Sequence, residues 1–459
     1  MASPILQIKP EEIDTAEKRS KRAASIIGCG QIGVIHAFLL AQAGFRVNCV
    51  DADQTIVNSI LKGKIPFLER EVEFKLKNYV KTGLLNATTE FKTAVSQSSI
   101  IIIAVPPKID EKGKVNYSSL EKTCKLVGSS LSQDSLVIVA VTVGIGVTQG
   151  LIKETLESTS GLKVGVNFGL AYSPLQVSDG YPLEAIVSQE RIVAATDKNS
   201  LDIASLIIEG IMKRNVRKIS DIKTAEAFMI FEGIQQDVNS ALVKEFAFFC
   251  EKTGIDYFGI YSLMKDTLSH ALYSPTLTDN SIRQEPYLFF EDAENLNLKL
   301  RIPATAREVN EEIGKHAVSL INDALRDCGK NLRRARVSLL GISRLPNMKG
   351  HPKRMVEKTL KMLEARGAQI GLYDPFFSGD ELSEMQRYVK KNLTETLERA
   401  DCILILTGHE QFKRLSLKKL RVMMKMPAAI VDFEGIMEPD KVEKEGFIYR
   451  GLGRGVWKK

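Results

Sequence analysis

The stretch SIIGCGQIGVIHAFLLAQAGFRVNCVDAD, residues 25–53, decides the fold. Its first residues continue a short β run that opens at Ala23. From Gln31 the apolar residues recur at helical spacing as far as a stop at Gly44, and FRVNCVD then reads as a second strand. Gly28, Gly30 and Gly33 lie between strand and helix in the spacing G-x-G-x-x-G, and Asp51 ends the second strand 18 residues past Gly33. In that context the pattern describes a dinucleotide-binding turn. Gly28 permits the tight turn, Gly30 lets the backbone approach a pyrophosphate, and Gly33 lets helix and strand pack closely. The helix start at Gln31 and Ile32 turns N–H groups and the positive end of the helix dipole toward the phosphates. Asp51 would accept hydrogen bonds from the adenosine ribose and repel a 2′-phosphate. With Ala52, Asp53 and Gln54 following it, the expected cofactor is NAD rather than NADP.

Working outward, IIIIAV (100–105), LVIVAV (136–141), VGVNFG (164–169) and RIVAA (191–195) read as further apolar strands separated by helical segments. Near-continuous apolar strands alternating with helices indicate a parallel sheet covered on both faces. Val105 and Pro106, in AVPP, and Thr142, in VTVGIGVT, follow two of these strands, at the sheet edge where ligands of open α/β sheets bind. Thr142 reads equally as a satisfied loop hydroxyl and as a functional one. Residues 221–325 carry long helical patterns and no strand. From Lys330 the alternation resumes with RRARVSLLG, QIGLYDP, DCILILTG and AAIVDFEG. The expected fold is α/β, with two doubly wound (Rossmann-like) parallel-sheet domains joined by a long-helix central layer. The expected boundaries are a flexible tail over 1–22, an NAD-binding domain over 23–217, a central helical domain over 218–328 and a C-terminal Rossmann-like domain over 329–459.

Composition bounds the rest. Apolar residues make up 44% and charged residues 26%, which excludes global disorder. No apolar run approaches the roughly 20 residues of a membrane span, and the charged N-terminus has no secretory core, so a cytoplasmic protein is expected. Six scattered cysteines with no CxxC pair argue against a metal site or a disulfide framework. Residues 330–459 carry 27 Lys+Arg against 16 Asp+Glu, a bias that suits an anionic ligand or simply solvated helix faces. No nucleic-acid or membrane partner is expected.

Taken in order, these motifs resemble the nucleotide-sugar dehydrogenase family, which includes UDP-glucose, UDP-N-acetylmannosamine and GDP-mannose dehydrogenases. The resemblance also rests on YSPLQVSDG (172–180), TAEAFMIFEGIQQDVNSALVKEFAFFCEKTGID (224–256), AREVNEE (306–312), GISRLPN (341–347), YDP (373–375) and GHEQF (408–412). It implies a UDP-sugar ligand, a homodimer through the central helix, and oxidation of a sugar alcohol to a carboxylate through a cysteine thioester. That chemistry needs a nucleophile that attacks and leaves, together with groups that stabilise charge and activate water.

Carried over position by position, most of this kit is replaced. Thr142 and Gly146 are kept, but Gly144 and Ile145 stand for two prolines. Leu175 stands for a Glu, Met229 for a Lys and Gly233 for an Asn. In SPTLTDNSIRQEPY (274–287), Ser281 falls on the nucleophilic Cys, Thr278 and Asp279 on two glycines, and Glu285 on an Asp. Thr142, Ser281 and Glu285 are thus remnant catalytic positions. In the C-terminal part Leu345 stands for a Lys, while Arg344 and Lys349 either meet a diphosphate or form a basic surface loop. The expectation is an NAD-binding member of the family unable to run the four-electron reaction. Two alternatives are a two-electron oxidoreductase, for which His270 and Tyr172 are the nearby titratable groups, and an active 6-dehydrogenase with displaced residues.

Overall fold

The computed structural model describes residues 5–65, 70–110, 112–175, 177, 182–213, 216–267, 284–349, 352–379 and 382–455. Packing divides the chain into two compact units. The first holds Met1–Gly233 with Gln284–Lys299, and the second holds Ile234–Arg283 with Leu300–Lys459. The long helix Ile222–Thr253 therefore contributes its first turns to one unit and the remainder to the other.

In the first unit the strands are β1 (Ala23–Ile27), β2 (Arg46–Val50), β3 (Leu85–Thr88), β4 (Ile100–Ile103), β5 (Lys108–Ile109), β6 (Val115–Asn116), β7 (Leu136–Val139), β8 (Gly169–Tyr172), β9 (Arg191–Ala195) and β10 (Val216–Lys218). Eight of them form one sheet in the order β10-β9-β8-β7-β4-β1-β2-β3, while β5 and β6 make a separate small hairpin. Strands β4 and β7, IIII and LVIV, are buried at every position, as expected of central strands covered on both faces. Burying each such side chain is worth about 1.5–3 kcal/mol. Strand β1 pairs with β2 on one side and β4 on the other, so the chain reverses its direction of winding there and opens a crevice at the carboxyl ends of the strands.

Three features differ from the sequence reading. The strand expected over 164–169 begins only at Gly169, because Gly165 takes φ +76° and Asn167 Oδ1 accepts from Lys163 N, closing a turn. Strand β9 runs antiparallel to β8. Among the described residues the connection between them holds one helix, the five-residue Leu183–Val187, too little for a parallel crossover. Residues 5–22, expected as a tail, bury Ile5, Ile8 and Ile13 in the core of the first unit, and Arg19 ties them down by donating to Ile13 O and Ala43 O.

The second unit has a five-stranded, all-parallel sheet: β11 (Arg336–Leu340), β12 (Gln369–Tyr373), β13 (Cys402–Ile405), β14 (Ala429–Asp432) and β15 (Ile448–Gly451), in the order β12-β11-β13-β14-β15. Strand β15 escapes the sequence reading because Arg450 interrupts its apolar run; the guanidinium pairs with Asp323 and Asp327 on the covering helix Arg301–Asp327. Here the crevice opens between β11 and β13. Among the described residues no helix is long and apolar enough to cross a membrane.

Candidate cofactor cleft and ligand crevice

In the first unit, the loop from β1 to the helix Gln31–Ala43 has the geometry its three glycines require. Gly28 has φ +89°, and a Cβ there would meet Val105 Cγ2 at 2.5 Å. A Cβ on Gly33 would meet the Gly28 carbonyl oxygen at 1.9 Å, so no side chain fits between helix and loop. A Cβ on Gly30 would meet nothing within 4 Å, so the space beside the helix N-terminus, where a pyrophosphate would lie, is open. Asp51, at the end of β2, accepts from Cys29 N at 2.7 Å through one oxygen and from Asp53 N at 2.9 Å through the other. Its carboxylate is thus fixed beside the loop with acceptor capacity left for ribose hydroxyls. Gln31 and Ile32 are half-buried at the helix start, while Val105 is half-buried and Pro106 exposed after β4. Thr142 is half-buried after β7. All nine positions of the expected cofactor set lie at the carboxyl edge of β1, β2, β4 and β7. With Asp51 on the β2 side, a dinucleotide would place its other end over β4 and β7.

The remnant catalytic positions of this unit lie deeper. Leu175 is buried among the apolar residues on one face of the sheet. Met229, on the long helix, is buried with Val143 and Tyr172 on the other. Glu285, at the start of the helix Glu285–Asn295, packs over Gly233, where a Cβ would meet its Cβ and Cγ at 2.6 Å. Glycine at 233 is therefore what lets Glu285 sit there. Ser281, with Thr278, Asp279 and His270, lies outside the described residues.

Two groups of residues were missed by sequence reasoning. The loop after β7 is held by carboxylates: Glu226 accepts from Gly146 N at 2.5 Å and Thr148 N at 2.9 Å, and Asp292 accepts from Ile145 N at 3.0 Å. Burial raises both carboxyls above their usual range. The second group surrounds Arg191, whose guanidinium is buried at the start of β9. It donates to Ser173 Oγ at 3.0 Å, Ser173 O at 2.7 Å and His36 Nε2 at 2.5 Å. No carboxylate among the described residues pairs with it, and its Nη1 is buried without a partner. Burial pushes the guanidinium down to about 9, so it stays charged at neutral pH.

In the second unit the crevice is lined by the segment after β11, which carries Arg344 and Lys349, both half-buried, and by GHEQF after β13. A buried network fixes the two. Asp374 Oδ2 accepts from Ile342 N at 2.7 Å, Ser343 N at 3.0 Å, Ser343 Oγ at 2.9 Å and His409 Nε2 at 3.1 Å. Asn347 N donates to His409 Nδ1 at 2.9 Å, which leaves Nε2 as the donor to Asp374. Burial alone would raise the Asp374 carboxyl, but the bonds from His409 and the backbone amides outweigh it and hold the group below its usual range. Asp374→Ala would strand these donors in a dry site and should cost about 2–3 kcal/mol in chemical denaturation. A loss under about 1 kcal/mol would mean that water reaches the network.

A glycine-cradled cleft on one doubly wound sheet and a second crevice on another define a two-site, dinucleotide-dependent α/β protein. Residues 22–211 match the model of the UDP-glucose/GDP-mannose dehydrogenase family, NAD binding domain, and residues 340–439 match that family's UDP binding domain. The chain belongs to this family, and its first unit carries the NAD-binding domain. It is 25% identical over 433 residues to the UDP-N-acetyl-D-mannosamine dehydrogenase of Pyrococcus horikoshii, covering 94% of this chain and 99% of that one. It is 27% identical over 438 residues to the enzyme of that name from Methanocaldococcus jannaschii, covering 94% of this chain and 96% of that one. The solved structure of the Pyrococcus horikoshii dehydrogenase superposes with a TM-score of 0.85 at 24% identity, covering 95% of this chain and 100% of that one. A UDP-glucose dehydrogenase structure from Pyrobaculum islandicum gives a TM-score of 0.79 at 20% identity, covering 94% and 98% of the two chains.

Proposed function

We propose that this chain binds NAD in its first unit and a UDP-sugar in its second, and does not carry out four-electron oxidation of the sugar. The observation that carries the reading is the fate of the reacting positions. Leu175 and Met229 are apolar and buried in cores, and Gly233 is covered by Glu285. None of these residue types can relay a proton or stabilise a developing negative charge. The cysteines offer no substitute nucleophile, since all six are buried. The neighbouring Cys49 thiol and burial raise Cys29, burial pushes Cys124 up to about 12, and burial also raises Cys250, Cys328 and Cys402. A thiol held protonated neither attacks a carbonyl nor binds as thiolate.

The role that follows is that of a ligand-responsive partner rather than a catalyst. When bound, NAD would supply the family's hydride-accepting chemistry; Gly28, Gly30, Gly33 and Asp51 are the residues that would hold it. Arg344 and Lys349 are the cations for the sugar's diphosphate. A homodimer through the long helix is part of the proposal, supported by apolar side chains left exposed along it: Phe228 and Phe231 in its first turns, then Leu242, Phe246 and Phe249, the last 64% exposed. The deciding measurement is the yield of NADH from purified protein with a panel of UDP-sugars, alongside thermal shifts with NAD and with each sugar. We expect stabilisation by NAD and no NADH. Two NADH per sugar would overturn the proposal, and one would replace it with a two-electron oxidoreductase.

A further inference from the structure

We propose that the helix Glu285–Asn295 is a positioning clamp for the nicotinamide end of the cofactor cleft, with Gln284 and Asp292 as its two holding residues. The inference rests on the cofactor reading above and deepens it. Two loops flank that end of the cleft, one after β4 and one after β7, and the helix holds both. Gln284 Nε2 donates to Pro107 O at 3.0 Å, which fixes the AVPP loop. Eight residues on, roughly 12 Å along the helix axis, Asp292 Oδ2 accepts from Ile145 N at 3.0 Å, which fixes the loop carrying Thr142.

The second loop is held at several further points. Gly144 N donates to the Tyr117 hydroxyl at 3.2 Å, and Glu226 takes the amides of Gly146 and Thr148. Four backbone donors within five residues are each met by a side chain from another element. The helix Glu285–Asn295 holds the Ile145 amide directly through Asp292, and its Glu291 bonds the Tyr117 hydroxyl that meets the Gly144 amide. The helix is itself seated in this unit, since Tyr287 lies against Gly113 beside the β5–β6 hairpin and Phe289 meets Phe231 edge-on at 5.5 Å. Removing Asp292 therefore releases the Ile145 amide without unseating the helix, and removing Gln284 releases the Pro107 carbonyl.

NAD and ADP-ribose share the adenosine, the pyrophosphate and the second ribose, and only NAD carries the nicotinamide that would lie over β4 and β7. Calorimetric titration of the full chain with both ligands separates positioning from general damage. Asp292→Ala and Gln284→Ala should each weaken NAD about tenfold, with ADP-ribose unchanged within about twofold. Asp292→Asn keeps an acceptor oxygen and should restore most of the NAD affinity. Ile145→Pro has no N–H to be held, so in that background Asp292→Ala should have no further effect on NAD. Equal losses for both ligands, or no loss for either, would overturn the clamp. Should Asp292→Ala fail to fold, Gln284→Ala and the asparagine variant carry the test unaided. Wild-type chain that binds neither ligand would overturn the cofactor reading and the clamp with it, whereas wild-type binding with unaffected variants would remove the clamp alone.

Discussion

Gly33→Ala should lose NAD binding by at least about a hundredfold, some 3 kcal/mol, and should lower stability by about 1–3 kcal/mol from overpacking. The added methyl would lie 1.9 Å from the Gly28 carbonyl oxygen, and that oxygen belongs to backbone that cannot yield alone. Gly28 is itself pressed against Val105, so any retreat distorts the loop after β4 as well. Gly30→Ala is the informative companion. Its methyl enters open space, so the fold should keep its melting temperature while the recess for the pyrophosphate is filled and NAD affinity falls. Calorimetry and thermal melts of the two variants should therefore dissociate: one loses affinity and stability, the other affinity alone. Wild-type NAD affinity in Gly33→Ala would refute the cleft as described.

The second large effect is on acid stability. His36 is fully buried on the glycine-loop helix, with Nδ1 donating to Ile32 O at 2.8 Å and Nε2 accepting from Arg191. Burial, and then the Arg191 charge, push the imidazole down to about 3. In the unfolded chain the group titrates near 6.5. Above that value both states are neutral and the residue costs nothing. As pH falls below it the unfolded state takes up a proton that the folded state refuses, so stability drops by roughly 1.36 kcal/mol per pH unit until the folded group titrates. Over the full window, from about 6.5 to about 3, the loss approaches 4–5 kcal/mol, and between pH 6.5 and 5 it is about 2 kcal/mol. His36→Gln keeps a donor and an acceptor but does not titrate. Guanidinium unfolding at pH 7 and pH 5 should show the variant losing about 2 kcal/mol less than wild type across that step. Equal losses would mean that His36 is not neutral in the fold.

How much of this was legible in the sequence depends on the range over which each cause acts. The glycine cradle was fully legible, because turn, recess and close packing are set by residues within a few positions of one another. The apolar strands were legible for the same reason. The shift of β8 to Gly169 was hidden by an asparagine side chain that closes a local turn inside an apolar run. The burial of Ile5, Ile8 and Ile13 was masked by the charged residues that follow them, which made the whole segment read as a solvated tail. The carboxylates that hold the loop after β7 left no signal. Asp292 meets Ile145 across 147 residues and Glu226 meets Gly146 across 80, pairings that only the fold brings about. Arg191 was read as the edge of an apolar strand, and nothing local marks it as a buried cation whose neighbour is a histidine 155 residues away.

The Tyr117–Gly144 contact makes the order of mutations matter at this edge of the sheet. A Cβ at 144 would stand 2.7 Å from the Tyr117 hydroxyl and 3.3 Å from an Asp292 oxygen. A larger residue at 144 therefore becomes tolerable only after Tyr117 has lost its hydroxyl, and losing that hydroxyl first strips the Gly144 amide of its acceptor. Each single step destabilises the fold, and the pair taken together relieves the clash but still leaves the residue-144 amide without its acceptor. Glycine at 144 is held by contingency, and a chain that has once adopted this pairing does not leave it by one substitution.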